Sequence, residues 1–281
     1  MKVYPPSVNT PTMNSVSHSR LADLLAAVGR RLKPTFLIVG AQKSGTSALF
    51  RYLARHPCVA APAEKELHFF DQEANYRQGP LWYHLHFPQR TGPAVTFEAT
   101  PYYLAYPQAA ERIHHYDPSL KLIVLLRNPI ERAYSAWNMV YRLLTEHHVD
   151  ELLRRIQTTA DPNLARLARL LAQVNPEDQA GLTHLYQSQA FLSFAEAVHQ
   201  EISRLQADER RPYPDFVQRG LYFQQLQPYR AYFPPQQLLI LESRQLKEEP
   251  TATLHRVTHF LELPPHNWEQ EDYSFTPSAY P

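Results

Sequence analysis

The sequence predicts an α/β fold in which a central parallel sheet lies between two layers of helices. Two observations carry this prediction: short, continuously apolar runs of the type that form buried parallel strands, and helical spacing of apolar residues after them. Strands that alternate with helices favour a parallel sheet, because each helix returns the chain to the same end of the sheet. A length of 281 residues suits one large domain of this class.

The elements follow from the amino end. Residues 1–33 are predicted to be a mobile leader rich in Pro, Ser and Thr that ends in a short helix, and residues 34–281 to form the domain. Apolar runs predict strands at 36–40, 94–98, 121–127 and 237–242. Helical spacing predicts helices at 46–55, 108–116, 131–144, 193–206, 221–233 and 251–261. The stretch 145–189 has no strand signal and is predicted to be a helical insertion.

Charge and cysteine content argue against several kinds of partner. Lys and Arg total 28 against 27 for Asp and Glu, so the formal net charge of +1 provides no overall field to attract nucleic acid or anionic lipid. The apolar run 21–28 is far shorter than the roughly 20 residues of a membrane span. A single cysteine, Cys58, cannot form an internal disulfide, so we expect a cytoplasmic protein. From the net charge and the short apolar run we expect neither a nucleic-acid partner nor a membrane span.

The loop after the first predicted strand predicts an anion site. Its sequence is Gly40-Ala-Gln42-Lys43-Ser44-Gly45-Thr46-Ser47, and it leads into the first predicted helix. Backbone N–H groups and the helix dipole favour an anion at such a junction. The order of strand, glycine-containing loop and helix therefore predicts a P-loop-like fold. In nucleotide triphosphate loops the lysine directly follows the second glycine, whereas Lys43 comes two residues before Gly45. ATP hydrolysis is therefore disfavoured, and an ordinary strand-turn-helix junction is the alternative.

Two further segments make the pattern specific. They are Glu64-Lys-Glu66-Leu-His68-Phe-Phe70 and Arg127-Asn-Pro-Ile-Glu-Arg132-Ala-Tyr-Ser135. With the loop, they make the chain from about 34 to 268 resemble the sulfotransferases that use 3′-phosphoadenosine-5′-phosphosulfate (PAPS), particularly the heparan-sulfate type and its bacterial relatives.

The resemblance implies the roles of the residues. The loop 42–47 would cradle the 5′-phosphosulfate of PAPS with Lys43 near the bridging oxygen, and Arg127 with Ser135 would bind the 3′-phosphate. Glu66 would be the catalytic base, with His68 beside it. Without the resemblance, Glu66 belongs to a solvated charge cluster and His68 is a structural hydrogen-bonding residue.

The implied chemistry requires no metal. Sulfuryl transfer resembles phosphoryl transfer, in which positioning and charge stabilisation supply most of the catalysis. Lys43 and the loop would stabilise the leaving phosphate, and Glu66 would take the proton of a hydroxyl or, as the alternative, an amine. Adjacent histidines at 114–115 and 147–148 point in different directions on a helix, so we expect no metal site there.

The chain departs from the resembled family in two places. Members that modify polysaccharides commonly carry a lysine where this chain has Ala99, so we expect a less acidic hydroxylated acceptor, which could be a small molecule, a lipid or a glycan. The family typically continues with a basic loop and a final helix beyond the segment matching 273–281, where this sequence ends. Two rival interpretations are a small-molecule kinase that uses ATP with Mg²⁺ and a non-catalytic nucleotide-binding relative.

Overall fold

The computed structural model describes residues 29–90, 94–146, 192–207 and 215–273. Its strands are β1 (Pro34–Gly40), β2 (Thr96–Ala99), β3 (Lys121–Leu126) and β4 (Leu238–Glu242). They form one parallel sheet in the order β2-β1-β3-β4. The predicted α/β class is confirmed, and each predicted strand is present, although β2 begins two residues later than predicted.

Helices occupy the connections between the strands. The α-helices in the described ranges are α1 (Thr46–Leu53), α2 (Glu73–Tyr76), α3 (Gly79–His84), α4 (Ala109–Tyr116), α5 (Pro129–Glu146), α6 (Phe194–Gln206), α7 (Tyr222–Tyr232), α8 (Ser243–Glu248) and α9 (Pro250–Phe260). The six predicted helices are confirmed, and each predicted end lies within two residues of the observed end. Ser193 and Glu196 form the capping box of α6, as their spacing predicts. The helices α2, α3 and α8 have four to six residues, too few to show a helical period in the sequence.

Both faces of the sheet are buried, which produces three layers. On β1, Leu37 and Val39 pack in one apolar cluster and Phe36 and Ile38 in the other. This alternation follows from the two-residue period of a strand. The first cluster includes residues of α4 and α7, and the second includes residues of α1 and α9.

Some predictions fall on residues that the structure does not describe. The predicted leader up to residue 28 and the predicted insertion from 147 to 189 lie outside the described residues. Among the described residues, no helix is both long enough and apolar enough to cross a bilayer.

Candidate active site

The predicted site residues follow the carboxyl ends of neighbouring strands. β1 ends at Gly40, β2 at Ala99 and β3 at Leu126, and these three strands are adjacent in the sheet. In open parallel sheets, the carboxyl ends of the strands meet at one edge, where the loops form a crevice. The anion loop follows β1, and Arg127 follows β3. The segment with Glu66 and His68 packs against the end of β2, where the amide of Glu66 donates to the carbonyl of Ala99 at 3.1 Å.

The loop after β1 is shaped for close contact with an anion. Gly45 has φ of 92° and precedes α1, whose first turn has no side-chain cap. The amide groups of that turn are therefore available to a ligand. Ser44 is fully buried, and its hydroxyl lies near the hydroxyl of Tyr222. A side chain at Gly40 would place its Cβ 2.5 Å from Cβ of Leu104, so only glycine fits there.

Arg127 contacts this loop directly. Its Nη1 donates to the carbonyl oxygen of Lys43 at 3.3 Å, and its Nε donates to Oε2 of Glu131 at 3.1 Å. Burial lowers the pKa of Lys43, Glu66 opposes this effect, and Arg127 with two other nearby cations lowers the pKa further. The loop lysine is thus partly desolvated and lies among like charges, which are the surroundings that attract a polyanion.

Ser135 belongs to the predicted donor site but stays apart from these contacts. It lies on α5, eight residues after Arg127, and is half-buried. Among the described residues it makes no side-chain hydrogen bond to the loop or to Arg127. The remaining loop residues surround the start of α1: Gln42 is half-buried, Thr46 is buried and Ser47 is half-buried.

Glu66 and His68 have an uncommon backbone conformation. Four described residues other than glycine have positive φ, and three of them are Lys43 (67°), Glu66 (65°) and His68 (51°). Such a conformation costs free energy of order 1–3 kcal/mol per residue and persists only where the surroundings fix it. It accumulates at functional sites, and here it coincides with the three residues that the sequence assigns to catalysis. The carboxylate of Glu66 forms an ion pair with Nζ of Lys65.

His68 forms a buried pair with Asp71. The Nδ1 atom of His68 lies 2.7 Å from Oδ2 of Asp71, and both side chains are at least nine-tenths buried. Burial lowers the pKa of His68, but the charge and the hydrogen bond of Asp71 outweigh burial and raise it overall. Since Nδ1 is engaged, Nε2 is the ring nitrogen that remains for a substrate. The ring also contacts Tyr102 edge-on, at 5.3 Å between centroids.

Sequence reasoning missed two features of this site. Asp71 follows His68 by three residues in a loop, where the spacing in sequence does not show that the two side chains meet. Arg132 was visible in its motif without a role. It is fully buried, its Nη2 donates to the carbonyl of Phe216, and its Nε and Nη1 have no partner among the described residues. It lies close enough to Lys43 to lower the pKa of that lysine. The edge of the sheet is therefore more cationic than the sequence suggested.

The chain is similar to known sulfuryl-transferring proteins. The model of the family described as "Sulfotransferase domain" matches residues 33–276. Heparan sulfate glucosamine 3-O-sulfotransferase 5 of Mus musculus is 28% identical over 233 residues, which are 83% of this chain and 54% of the relative. Heparan sulfate glucosamine 3-O-sulfotransferase 6 of Homo sapiens is 30% identical over 240 residues, which are 85% of this chain and 55% of the relative. The chain thus spans about half the length of the curated relatives it matches.

A solved structure agrees with the family match. The crystal structure of a sulfotransferase from Alicyclobacillus acidocaldarius superimposes with a TM-score of 0.58 at 25% identity. The superposition covers 87% of this chain and 86% of the other. The similarity therefore includes the sheet and the helices around the candidate site, in addition to the sequence motifs.

Proposed function

This chain belongs to the sulfotransferase domain family, and we propose that it transfers a sulfuryl group from PAPS to a hydroxyl group of an acceptor. The family membership makes it an enzyme of sulfotransferase type. The proposal of PAPS as donor and a hydroxyl as acceptor rests on one observation: two loops meet at one edge of the sheet. One loop offers a lysine, a buried hydroxyl and open helix amides, and the other holds Glu66 and His68 in left-handed conformations.

The residues at the sheet edge fit an anionic nucleotide donor. PAPS has a 3′-phosphate and a 5′-phosphosulfate, so its binding site needs several donors and cations. Lys43 and the buried hydroxyl of Ser44 would bind the phosphosulfate, because they belong to the loop at the start of α1. Arg127 is one third exposed and already contacts this loop, so its guanidinium is available to the 3′-phosphate. Ser135 would join Arg127 on that phosphate.

The acceptor side has a base and a histidine. In the proposed reaction, the bond between sulfur and the bridging oxygen of PAPS breaks while sulfur bonds to the acceptor oxygen. The proton of the acceptor hydroxyl passes to Glu66, and the electron pair of the broken bond stays on the departing 3′-phosphoadenosine-5′-phosphate (PAP). Lys43 stabilises the negative charge that grows on this product. His68, oriented by Asp71, presents Nε2 to orient the acceptor hydroxyl.

The acceptor is proposed by class alone. The relatives are named for heparan sulfate glucosamine, so a glycan hydroxyl is the first candidate. Ala99 is fully buried and provides no cation for an acidic chain, which keeps small hydroxylated molecules and lipids as candidates. The cytoplasmic setting stays a prediction that rests on Cys58.

The test uses PAPS labelled with ³⁵S in the sulfuryl group. The protein is incubated with heparosan oligosaccharides, with simple alcohols and phenols, and with a glycolipid, and the label is followed by chromatography. We expect the label on a hydroxyl of at least one acceptor. Binding of PAP without label transfer to any acceptor would favour a non-catalytic relative. Phosphate transfer from ATP would favour the kinase interpretation.

A further inference from the structure

A buried carboxylate lies under the catalytic loop, and the chemistry proposed above does not use it. Glu98 is the third residue of β2 and has no exposed surface. We propose that Glu98 is a positioning residue that, with the hydroxyls of Thr100 and Tyr103, holds residues 66–69 in their reactive conformation. Its catalytic consequence rests on the proposed function, whereas its effect on the conformation of the loop does not.

Glu98 and Thr100 receive two successive amides of the loop. The amide of Leu67 donates to Oε1 of Glu98 at 3.2 Å, and the amide of His68 donates to Oγ1 of Thr100 at 3.4 Å. The hydroxyl of Thr100 in turn donates to the same carboxylate oxygen. The loop is therefore attached to Glu98 once directly and once through a hydroxyl.

Tyr103 extends this arrangement to a third amide. The amide of Phe69 donates to the hydroxyl oxygen of Tyr103 at 2.9 Å. That hydroxyl lies 2.9 Å from both carboxylate oxygens of Glu98. The backbone of Tyr103 is itself fixed, since its carbonyl accepts a hydrogen bond from the hydroxyl of Tyr229 at 2.7 Å. Three consecutive amides thus end on Glu98 or on a hydroxyl bonded to it.

In this network, both side-chain oxygens of residue 98 must accept hydrogen bonds. The hydroxyls of Thr100 and Tyr103 accept an amide each, so their single protons are left to donate to Glu98. The hydroxyl of Tyr83 donates to Oε2 at 2.7 Å, and the amide of Leu67 donates to Oε1. Only the carboxylate accepts at both positions, because glutamine would place an N–H group against one of these donors. Burial raises the pKa of Glu98 overall, although the three hydroxyl hydrogen bonds oppose this effect.

The loop needs such support because of its backbone. Glu66 and His68 both have positive φ and stand on either side of Leu67, whose amide ends on Glu98. Three further backbone groups of the loop are held as well. The amide of Glu66 donates to the carbonyl of Ala99, and Nδ2 of Asn75 donates to the carbonyls of Leu67 and His68 at 3.2 Å each. Hydrogen bonds that fix every peptide group keep an unfavourable conformation populated.

Tyr83 offers a matched control for Thr100. Each residue is fully buried and places one hydroxyl on Glu98. The hydroxyl of Thr100 also accepts the amide of His68, whereas no loop amide donates to Tyr83. Thr100→Val and Tyr83→Phe therefore each remove one hydrogen bond to Glu98, but only the first detaches the loop. Thr100→Ser keeps the hydroxyl and serves as the conservative variant.

The test compares these three variants with the wild-type protein. One readout is the pKa of His68, measured by NMR of the imidazole ring and assigned with His68→Gln. The second is kcat for ³⁵S transfer from PAPS to the acceptor identified with the wild type, with calorimetry of PAP binding alongside. We expect Thr100→Val to move the pKa of His68 toward its ordinary value of 6.5 and to lower kcat at least about tenfold, with PAP affinity unchanged. Thr100→Ser and Tyr83→Phe should keep both values near those of the wild type.

The outcomes separate this inference from the proposed function. Equal effects of Thr100→Val and Tyr83→Phe, or no effect of Thr100→Val on the His68 titration, would overturn the positioning role. If Thr100→Val does not fold, Tyr103→Phe is used, since it removes the hydroxyl that receives the amide of Phe69. An unchanged titration of His68 in Tyr103→Phe would also overturn the positioning role. Failure of the wild type to transfer sulfuryl groups would refute the proposed function, while the titration still decides the inference.

Discussion

Replacing Asp71 by asparagine should change how the free energy of unfolding depends on pH. Asp71 lies 2.7 Å from His68, and both side chains are nearly fully buried. In the wild type, Asp71 raises the pKa of His68 in the folded state despite burial. The stabilisation from His68 is therefore fully present below its ordinary pKa of 6.5, and it is lost as the pH rises through the folded value. In Asp71→Asn the largest group that favours protonated His68 is gone, so burial opposes protonation and only the charges of Glu66 and Glu98 still favour it.

The size of the effect follows from the state of the pair. At about pH 5.5 the variant removes one partner of a buried ion pair, which costs about 3–5 kcal/mol. At a pH above the raised pKa of His68 the histidine is neutral, and asparagine still provides an oxygen for the Nδ1 proton. The loss there should be that of one modified hydrogen bond, about 0.5–1.5 kcal/mol. The destabilisation should thus be at least about twice as large at the lower pH.

Urea unfolding at the two pH values measures both free energies. His68→Gln and the double variant complete a double-mutant cycle, in which Asp71→Asn should cost little once His68 is absent. An equal destabilisation by Asp71→Asn at both pH values would refute the proposed ionisation of the pair. A pH-dependent loss that persists in the double variant would assign the effect to another group.

Three further predictions concern the donor site, the base and the loop. Arg127→Ala should weaken PAP binding by about 1.5–3 kcal/mol in calorimetry. Glu131→Gln frees Arg127 from its carboxylate partner and should bind PAP at least as tightly as the wild type. Unchanged affinity in Arg127→Ala would remove Arg127 from the donor site. Glu66→Gln should lower kcat by about 10²–10⁴ and leave PAP affinity intact, and a fully active variant would refute the assigned base. Gly40→Ala should cost about 1–3 kcal/mol in urea unfolding, because the new Cβ meets Leu104 at 2.5 Å. Adding Leu104→Ala should not restore the stability, because alanine keeps the Cβ that the new methyl group meets. An undiminished stability of Gly40→Ala would contradict the close packing.

Apolar runs predicted the sheet well because its strands are buried on both faces. The exception is the start of β2. Val95 was predicted within this strand, but it forms a bridge with Val59, and its amide donates to the carbonyl of Cys58 at 2.9 Å. The segment 94–95 thus pairs with the chain that follows α1 instead of with β1. Nothing in the local sequence distinguishes these two partners, since both present apolar residues.

The motifs predicted which residues meet at the site, but they did not predict the conformation of those residues. Glu66 and His68 are left-handed without being glycine, because hydrogen bonds from distant parts of the chain fix them there. Glu98 was seen as part of a strand pattern, and its function as an acceptor of loop donors depends on tertiary contacts. Asp71 was overlooked for the same reason, since its contact with His68 is made in a loop where no helical or strand period applies.

The central claim, that the sheet edge binds the PAPS-type nucleotide, is tested most directly by thermal unfolding of this chain with PAP. PAP at about 100 times its dissociation constant should stabilise the folded state by roughly 2.7 kcal/mol, which corresponds to a rise in Tm of a few degrees at this size. ATP with Mg²⁺ serves as the control, and the same measurement on Arg127→Ala should show a smaller rise at the same PAP concentration. A rise with PAP and none with ATP is the predicted result, whereas a rise with ATP and Mg²⁺ alone, or none with PAP, would contradict the proposed donor.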